Sequence, residues 1–190
     1  MNDLGYRRRL DGGYTLAKAR SGHIVPLVPD CVRYVREFLP AVRKEASALK
    51  PRLNAQSFLE LRIPRRWTLD RPSPFERIRV LDPEPNKSMN REAREAMIRL
   101  YPPLRDVPIV QEWGGYIDVT PDAVPYIGPV GAVPGLTAAT GFSGHGFGIG
   151  PAAGRLAADL ATGHAPAVDP SAFRTSRFSD GSPIVIDKEI

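Results

Sequence analysis

The 190-residue sequence predicts an α+β fold, and three observations predict it. Strand-like runs joined by turn residues open the chain. Helical periodicities with cap residues interrupt the strands of the first half. Near the end a short strand, a glycine-rich loop and an amphipathic helix follow one another directly. Composition agrees with a folded chain, at 42% hydrophobic and 25% charged residues.

Taken in order, residues 6–10 and 14–18 flank Asp11-Gly12-Gly13, a three-residue connection with turn chemistry, and predict a β-hairpin. His23 falls in a turn. Pro29-Asp30 marks a helix start with Asp30 as N-cap, and Val32, Val35, Phe38, Leu39 and Val42 supply its apolar face. Pro40 predicts a kink there or a division into two short helices. Residues 57–63 alternate like a strand and stop at Pro64. Four prolines make residues 70–87 mostly loop, with a short strand at 77–81. Asn90 or Ser88 would cap a helix with Ala93, Ala96, Met97, Leu100 and Tyr101 on one face, ended by Pro102-Pro103. Residues 107–110, 113–119 and 136–140 are expected strands, with one more at 184–186.

The final helix is expected over about 149–162. Ile149, Ala152, Ala153, Leu156, Ala157, Leu160 and Ala161 trace one apolar face, Pro151 suits the first turn and Gly163 the C′ position. Charge divides the chain at about residue 106. Residues 1–106 carry 22 Lys/Arg against 13 Asp/Glu, and residues 107–190 carry 4 against 8, for a net +5 overall. The arginines form only short clusters, Arg7-Arg8-Arg9, Arg62 with Arg65-Arg66, and Arg77 with Arg79, so nucleic-acid binding is not expected. One cysteine, Cys31, excludes an internal disulfide framework and suits a cytoplasmic setting. No stretch is long and apolar enough for a membrane span, and no secretory signal is expected.

Two segments carry the functional signal. In Gly141-Phe-Ser-Gly-His-Gly-Phe-Gly-Ile-Gly150 the glycines permit positive φ and close approach, and the helix behind them presents unpaired N–H groups. Such a loop either cradles an anionic or electron-rich group or serves only a tight turn and close helix packing. In the stretch 113–128, Gly114-Gly115 allows close backbone approach. Thr120-Pro121-Asp122 is a turn that an Asx side chain can fix, and Pro125 stiffens it. The three histidines, His23, His145 and His164, lack metal-ligand spacing. No dinucleotide fingerprint, phosphate loop or serine-hydrolase elbow is present.

Together, Trp113-x2-Tyr116-x-Asp118-x-Thr120-Pro121-Asp122-x2-Pro125-x-Ile127-Gly128 and the Gly141–148 run resemble the C-terminal part of the D-amino-acid oxidase-like FAD-dependent oxidoreductases. Residues 6–112 are more distantly similar to that family's substrate-binding domain. The resemblance implies a substrate-binding-like antiparallel domain over 1–106 and a C-terminal flavin-facing segment over 107–190. The N-terminal Rossmann unit would be missing. It implies FAD as cofactor, faced by Asp122, Pro125, Gly141, Ser143, Gly144, His145, Gly146, Phe147, Gly148 and Ile149. The substrate would be an amine or amino acid whose C–N bond is oxidised to an imine, with Arg62, Arg65 and Tyr116 as substrate contacts. No catalytic residue and no metal ligand is assigned. In the sarcosine oxidase branch a lysine stands where this chain has Gly148, so a dehydrogenase is as consistent as an oxidase. A separate chain would supply the Rossmann half, and an uncovered docking face would favour self-association. The alternative is a non-catalytic remnant or interaction module that keeps the sheet without flavin.

Overall fold

The computed structural model describes residues 4–18, 22–77 and 79–186. In chain order these form β1 (Leu4–Arg8), β2 (Tyr14–Lys18), β3 (His23–Pro26), α1 (Pro29–Arg33) and α2 (Val35–Lys44). Then come β4 (Leu49–Arg52), α3 (Ala55–Arg62), α4 (Pro74–Arg77) and α5 (Lys87–Leu100). The last regular elements are β5 (Tyr126–Pro129), β6 (Thr137–Thr140) and α6 (Gly146–Thr162), with 3-10 turns at Pro102–Asp106, Pro170–Phe173 and Thr175–Phe178. The chain divides into two compact units. One runs through Arg33 and resumes over Glu45–Tyr116; the other joins Tyr34–Lys44 to everything described from Ile117 onward.

In the first unit β1 and β2 form the expected antiparallel hairpin, Tyr6 opposite Leu16 and Arg8 opposite Tyr14. Period-2 alternation puts Tyr6, Tyr14, Leu16 and Lys18 on one face of that ribbon. That face meets α5, where Lys18 pairs with Glu92 and the Tyr6 and Tyr101 hydroxyls lie 3.0 Å apart. Ala93 and Met97 are the buried positions of α5, which starts at the Asn86 cap, two to four residues before the expected one. The Asn86 carboxamide accepts from the Met89 N–H. β3 and β4 form a short parallel pair that sequence patterning missed, and His23 sits in β3 rather than in a turn.

Several expected strands are not strands. Residues 57–62 belong to α3 and Ile63 caps it, because Asn54 and Ser57 form a capping box that starts a helix before the apolar alternation can matter. Residues 107–119 have no ladder partner among the described residues. Side chains hold them instead: Arg94 donates to the carbonyls of Arg105 and Val107, and Asn90 donates to Glu112. Arg77 ends the short α4, and neither 79–81 nor 184–186 forms a strand. Asp30 lies inside α1 rather than capping it. The helical run of 29–44 is broken at Tyr34, not at Pro40, which lies within α2. No residue of α1 or α2 is buried, and Val32 is 79% exposed.

The second unit has its core where β5 and β6, an antiparallel pair, receive α6. Ile127, Ala153 and Leu156 are buried there, with Phe142, Ala157, Leu160 and Phe173 packed around them. A ribbon two strands wide can cover only a narrow stripe of helix. Ile149, Ala152 and Ala161, expected on the buried face, are therefore exposed. α6 begins three residues earlier than expected, at Gly146, so Pro151 is its sixth residue rather than part of its first turn. Gly163 ends it in the left-handed region at φ 72°. No helix among the described residues is long and apolar enough to cross a membrane.

Candidate functional site

The turn between β6 and α6 is held from one side. Gly141 has φ 71°, Ser143 φ 50° and Gly144 φ 84°. A left-handed conformation costs a residue with a Cβ about 1–2 kcal/mol, so Ser143 needs compensation. It has several partners. Its N–H donates to the Asp118 carbonyl at 2.9 Å, and its Oγ accepts from the Thr120 N–H at 3.1 Å. The same hydroxyl reaches the Gly141 carbonyl at 3.2 Å and lies 3.3 Å from Thr120 Oγ1. Asp118 adds its carboxylate, accepting from Thr140 Oγ1 and from the Gly141 N–H, each at 2.7 Å. Thr120 and Ser143 are both buried. Glycine is required at 141 twice over: φ is positive, and a Cβ there would sit 2.4 Å from Thr120 Cγ2.

The other side of the turn is open. His145 caps α6 through its backbone alone, its N–H spent on the Phe142 carbonyl, and its imidazole makes no capping bond. The Gly148 and Ile149 N–H groups both turn back to the His145 carbonyl. The N–H groups of Gly146 and Phe147 meet no acceptor among the described residues. Around them the surface is exposed: Phe147 is 96% accessible, and a Cβ at Gly148 or Gly150 would meet nothing within 4 Å. Two unspent donors at the positive end of a 17-residue helix, with the Phe142 side chain packed against half-exposed Gly146 and Phe147 open to solvent, suit an anion or an electron-rich ring edge.

The remaining expected residues of this unit have other duties. Asp122 fixes its own turn by accepting from the Val124 N–H at 3.0 Å, as its Asx signature predicts. Its carboxylate is otherwise taken by Arg177 in a two-point pair, Nε to Oδ2 at 2.7 Å and Nη2 to Oδ1 at 3.0 Å. Both side chains are buried, 6% and 9% exposed. The guanidinium also covers the Tyr126 and Phe178 rings, 4.4 and 4.5 Å from their centres. Burial pushes the Asp122 carboxyl up, but the Arg177 hydrogen bonds, the Val124 N–H and the Arg177 charge outweigh it and hold it below its ordinary value. Burial pushes the Tyr126 hydroxyl up. Pro125 is buried beneath this turn. Sequence reasoning missed Arg177, 55 residues from its partner, and no local spacing could have found it.

Arg62, Arg65 and Tyr116 lie in the first unit. Arg62 is exposed in the last turn of α3, and Tyr116 is 48% exposed on irregular backbone. Arg65 borders a cavity of about 500 Å³ between α1 and the end of α3, with Asp30, Glu60, Arg66 and Trp67 among its walls. Its guanidinium is 3.7 Å from the Asp30 carboxylate, both groups more than half exposed. Arg62 does not border that cavity, so the structure does not bring these two arginines onto one wall. Gly114 is a close approach, as expected, since a Cβ there would lie 2.7 Å from the Pro83 carbonyl; Gly115 has open space.

Comparison with known proteins places this geometry in context. The family described as DAO, FAD dependent oxidoreductase, matches residues 23–160. A glycine oxidase of Pseudomonas aeruginosa is 36% identical over 92 residues, which are 48% of this chain and 25% of that enzyme. The solved L-amino acid deaminase of Proteus vulgaris superposes with a TM-score of 0.83 at 28% identity, covering 93% of this chain and 40% of that one. That of Proteus myxofaciens, solved with anthranilate, gives 0.86 at 29% identity over 94% and 39%. The chain thus spans a quarter of the glycine oxidase's length and two fifths of the deaminases'.

Proposed function

The chain belongs to the DAO family of FAD-dependent oxidoreductases, and from that premise we propose that it supplies the flavin-facing turn and helix of an enzyme oxidising the C–N bond of an amine or amino acid. The observation that carries this reading is the pair of unspent N–H groups, Gly146 and Phe147, at the exposed start of α6. FAD would supply the hydride acceptor, and these N–H groups would favour the negative charge that comes with its reduction. A helix N-terminus favours such charge by about 0.3–2 kcal/mol.

Within this reading Gly141, packed against Thr120, shapes the turn, and Gly144, Gly146 and Gly148 would let the backbone lie close to the ring. His145, Phe147 and Ile149 border it, while Ser143, Asp122 and Pro125 support it from beneath. The glycine oxidase and the two deaminases, named for amino-acid chemistry, favour an amino acid as substrate. Of the expected contacts, Arg65, which borders the cavity beside α1, is the proposed holder of its carboxylate, a task that suits the two-pronged guanidinium; Arg62 lies outside that cavity, and Tyr116 is the proposed second contact. The sequence holds no dinucleotide fingerprint, so the adenosine half of FAD would be bound by residues outside it, on a separate chain for example.

The test is an FAD titration of the purified protein, followed by melting temperature and by the visible flavin spectrum. With the adenosine half unheld, the expected result is weak binding: a melting temperature that climbs only at high FAD concentration, as selective binding to the folded state demands. No rise and an unperturbed free-flavin spectrum would favour a module that keeps this fold without the cofactor.

A further inference from the structure

We propose that Asp118 is a positioning residue that holds the glycine turn in its ligand-ready shape; the inference rests on the flavin reading above. Asp118 touches three successive points of the turn: its carboxylate takes Thr140 Oγ1 and the Gly141 N–H, and its carbonyl takes the Ser143 N–H. Two residues on, the Thr120 N–H grips the Ser143 hydroxyl. The 118–120 backbone therefore lies beside the turn as a splint, and Asp118 is the only one of its contacts that brings a charge. Charge-assisted hydrogen bonds of 2.7 Å are about twice as strong as neutral ones.

The consequence is directional. A turn with positive φ at Gly141, Ser143 and Gly144 has many alternatives, since glycine also populates the opposite sign of φ freely. With the carboxylate in place the Gly141 N–H is consumed, the Asp118 carbonyl takes the Ser143 N–H, and the turn is fixed before α6 begins. The next donors along the chain, those of Gly146 and Phe147, are the ones left over. Asp118 thus sets which N–H groups face a ligand without contacting the ligand.

Amide hydrogen exchange, measured residue by residue without flavin, tests the hold directly; FAD affinity from the titration above tests its purpose. Asp118→Ala is expected to speed exchange at Gly141 and Ser143 at least tenfold, to weaken FAD binding at least tenfold, and to leave exchange at Leu156 unchanged. Asp118→Asn, which keeps an oxygen acceptor of the same shape, is expected to recover most of both effects. Unchanged exchange at Gly141 in Asp118→Ala overturns the proposal. So does faster exchange with unaltered FAD affinity, which would make the contact merely structural. A wild-type protein that takes up no FAD instead overturns the flavin reading, and this role with it.

Discussion

The two arginine-bearing regions of this chain use their charges in opposite ways. In the second unit a single arginine, Arg177, is buried, covered by two aromatic rings and joined at two points to Asp122. In the first, Arg62 and Arg65 stand on the surface near α3, and the pair of Arg65 with Asp30 is long and wet. A dry two-point pair fixes backbone, because either partner alone would be a stranded charge. A wet one fixes little and leaves the guanidinium available. The lesson is that the buried Arg177–Asp122 pair builds its turn, while the Arg65–Asp30 pair leaves both groups largely in solvent.

Breaking the buried pair should therefore cost most. Arg177→Ala strands the Asp122 carboxylate, and the expected loss is about 3–5 kcal/mol, or roughly 6–20 °C in melting temperature for a chain of this size. A calorimetric scan checks it, and Asp122→Asn in the same background should restore part of the loss. If the melting temperature moves by less than a degree or two, the pair is not the clamp described.

Next in size is Gly141→Ala. Its Cβ would meet Thr120 Cγ2 at 2.4 Å with φ at 71°, and Thr120 cannot yield while its own hydroxyl is bonded to the Val124 carbonyl. Strain and overlap together should cost about 2–4 kcal/mol. The same scan reads it, and Gly115→Ala, at a position with open space, serves as the control.

Acid should sharpen the comparison further. Asp122 titrates below its ordinary 3.8, so its contribution is whole above that pH and is lost as pH falls through the folded value. Melting temperature plotted against pH should decline more steeply for the wild type than for Asp122→Asn below about pH 4, the two curves converging toward acid. Parallel curves would show that Asp122 carries no special share. The smallest effect belongs to the exposed arginine. Arg65→Ala should change stability by less than about 0.5 kcal/mol, with any consequence confined to substrate KM.

Much of this was legible beforehand because it rests on local chemistry. The Asp11-Gly12-Gly13 hairpin, the Asp122 Asx turn, the α6 helix and its Gly163 terminator each depend on residues within a few positions of one another. Failures came where a competing signal or a distant partner decided. The alternation of 57–63 lost to the Asn54 capping box, three residues upstream of Ser57. β5 follows Pro125 and contains Gly128 and Pro129, residues that carry turn chemistry, so no strand is expected there, yet Ile127 is among the best-buried side chains. In the site, the glycines and the open helix start were legible from composition. The inward turn of the Ser143 hydroxyl and the grip of Asp118 were not, since both join residues more than twenty positions apart.

If a flavin docks on this turn, the Gly146 and Phe147 N–H groups are the ones it meets. Two-dimensional amide NMR of the labelled protein during an FAD titration tests it most directly. The account predicts that the Gly146 and Phe147 resonances move progressively while those of Gly141 and Ser143, already bonded to Asp118, stay nearly still. Shifts confined to Gly141 and Ser143, or spread elsewhere with Gly146 and Phe147 unmoved, would contradict it.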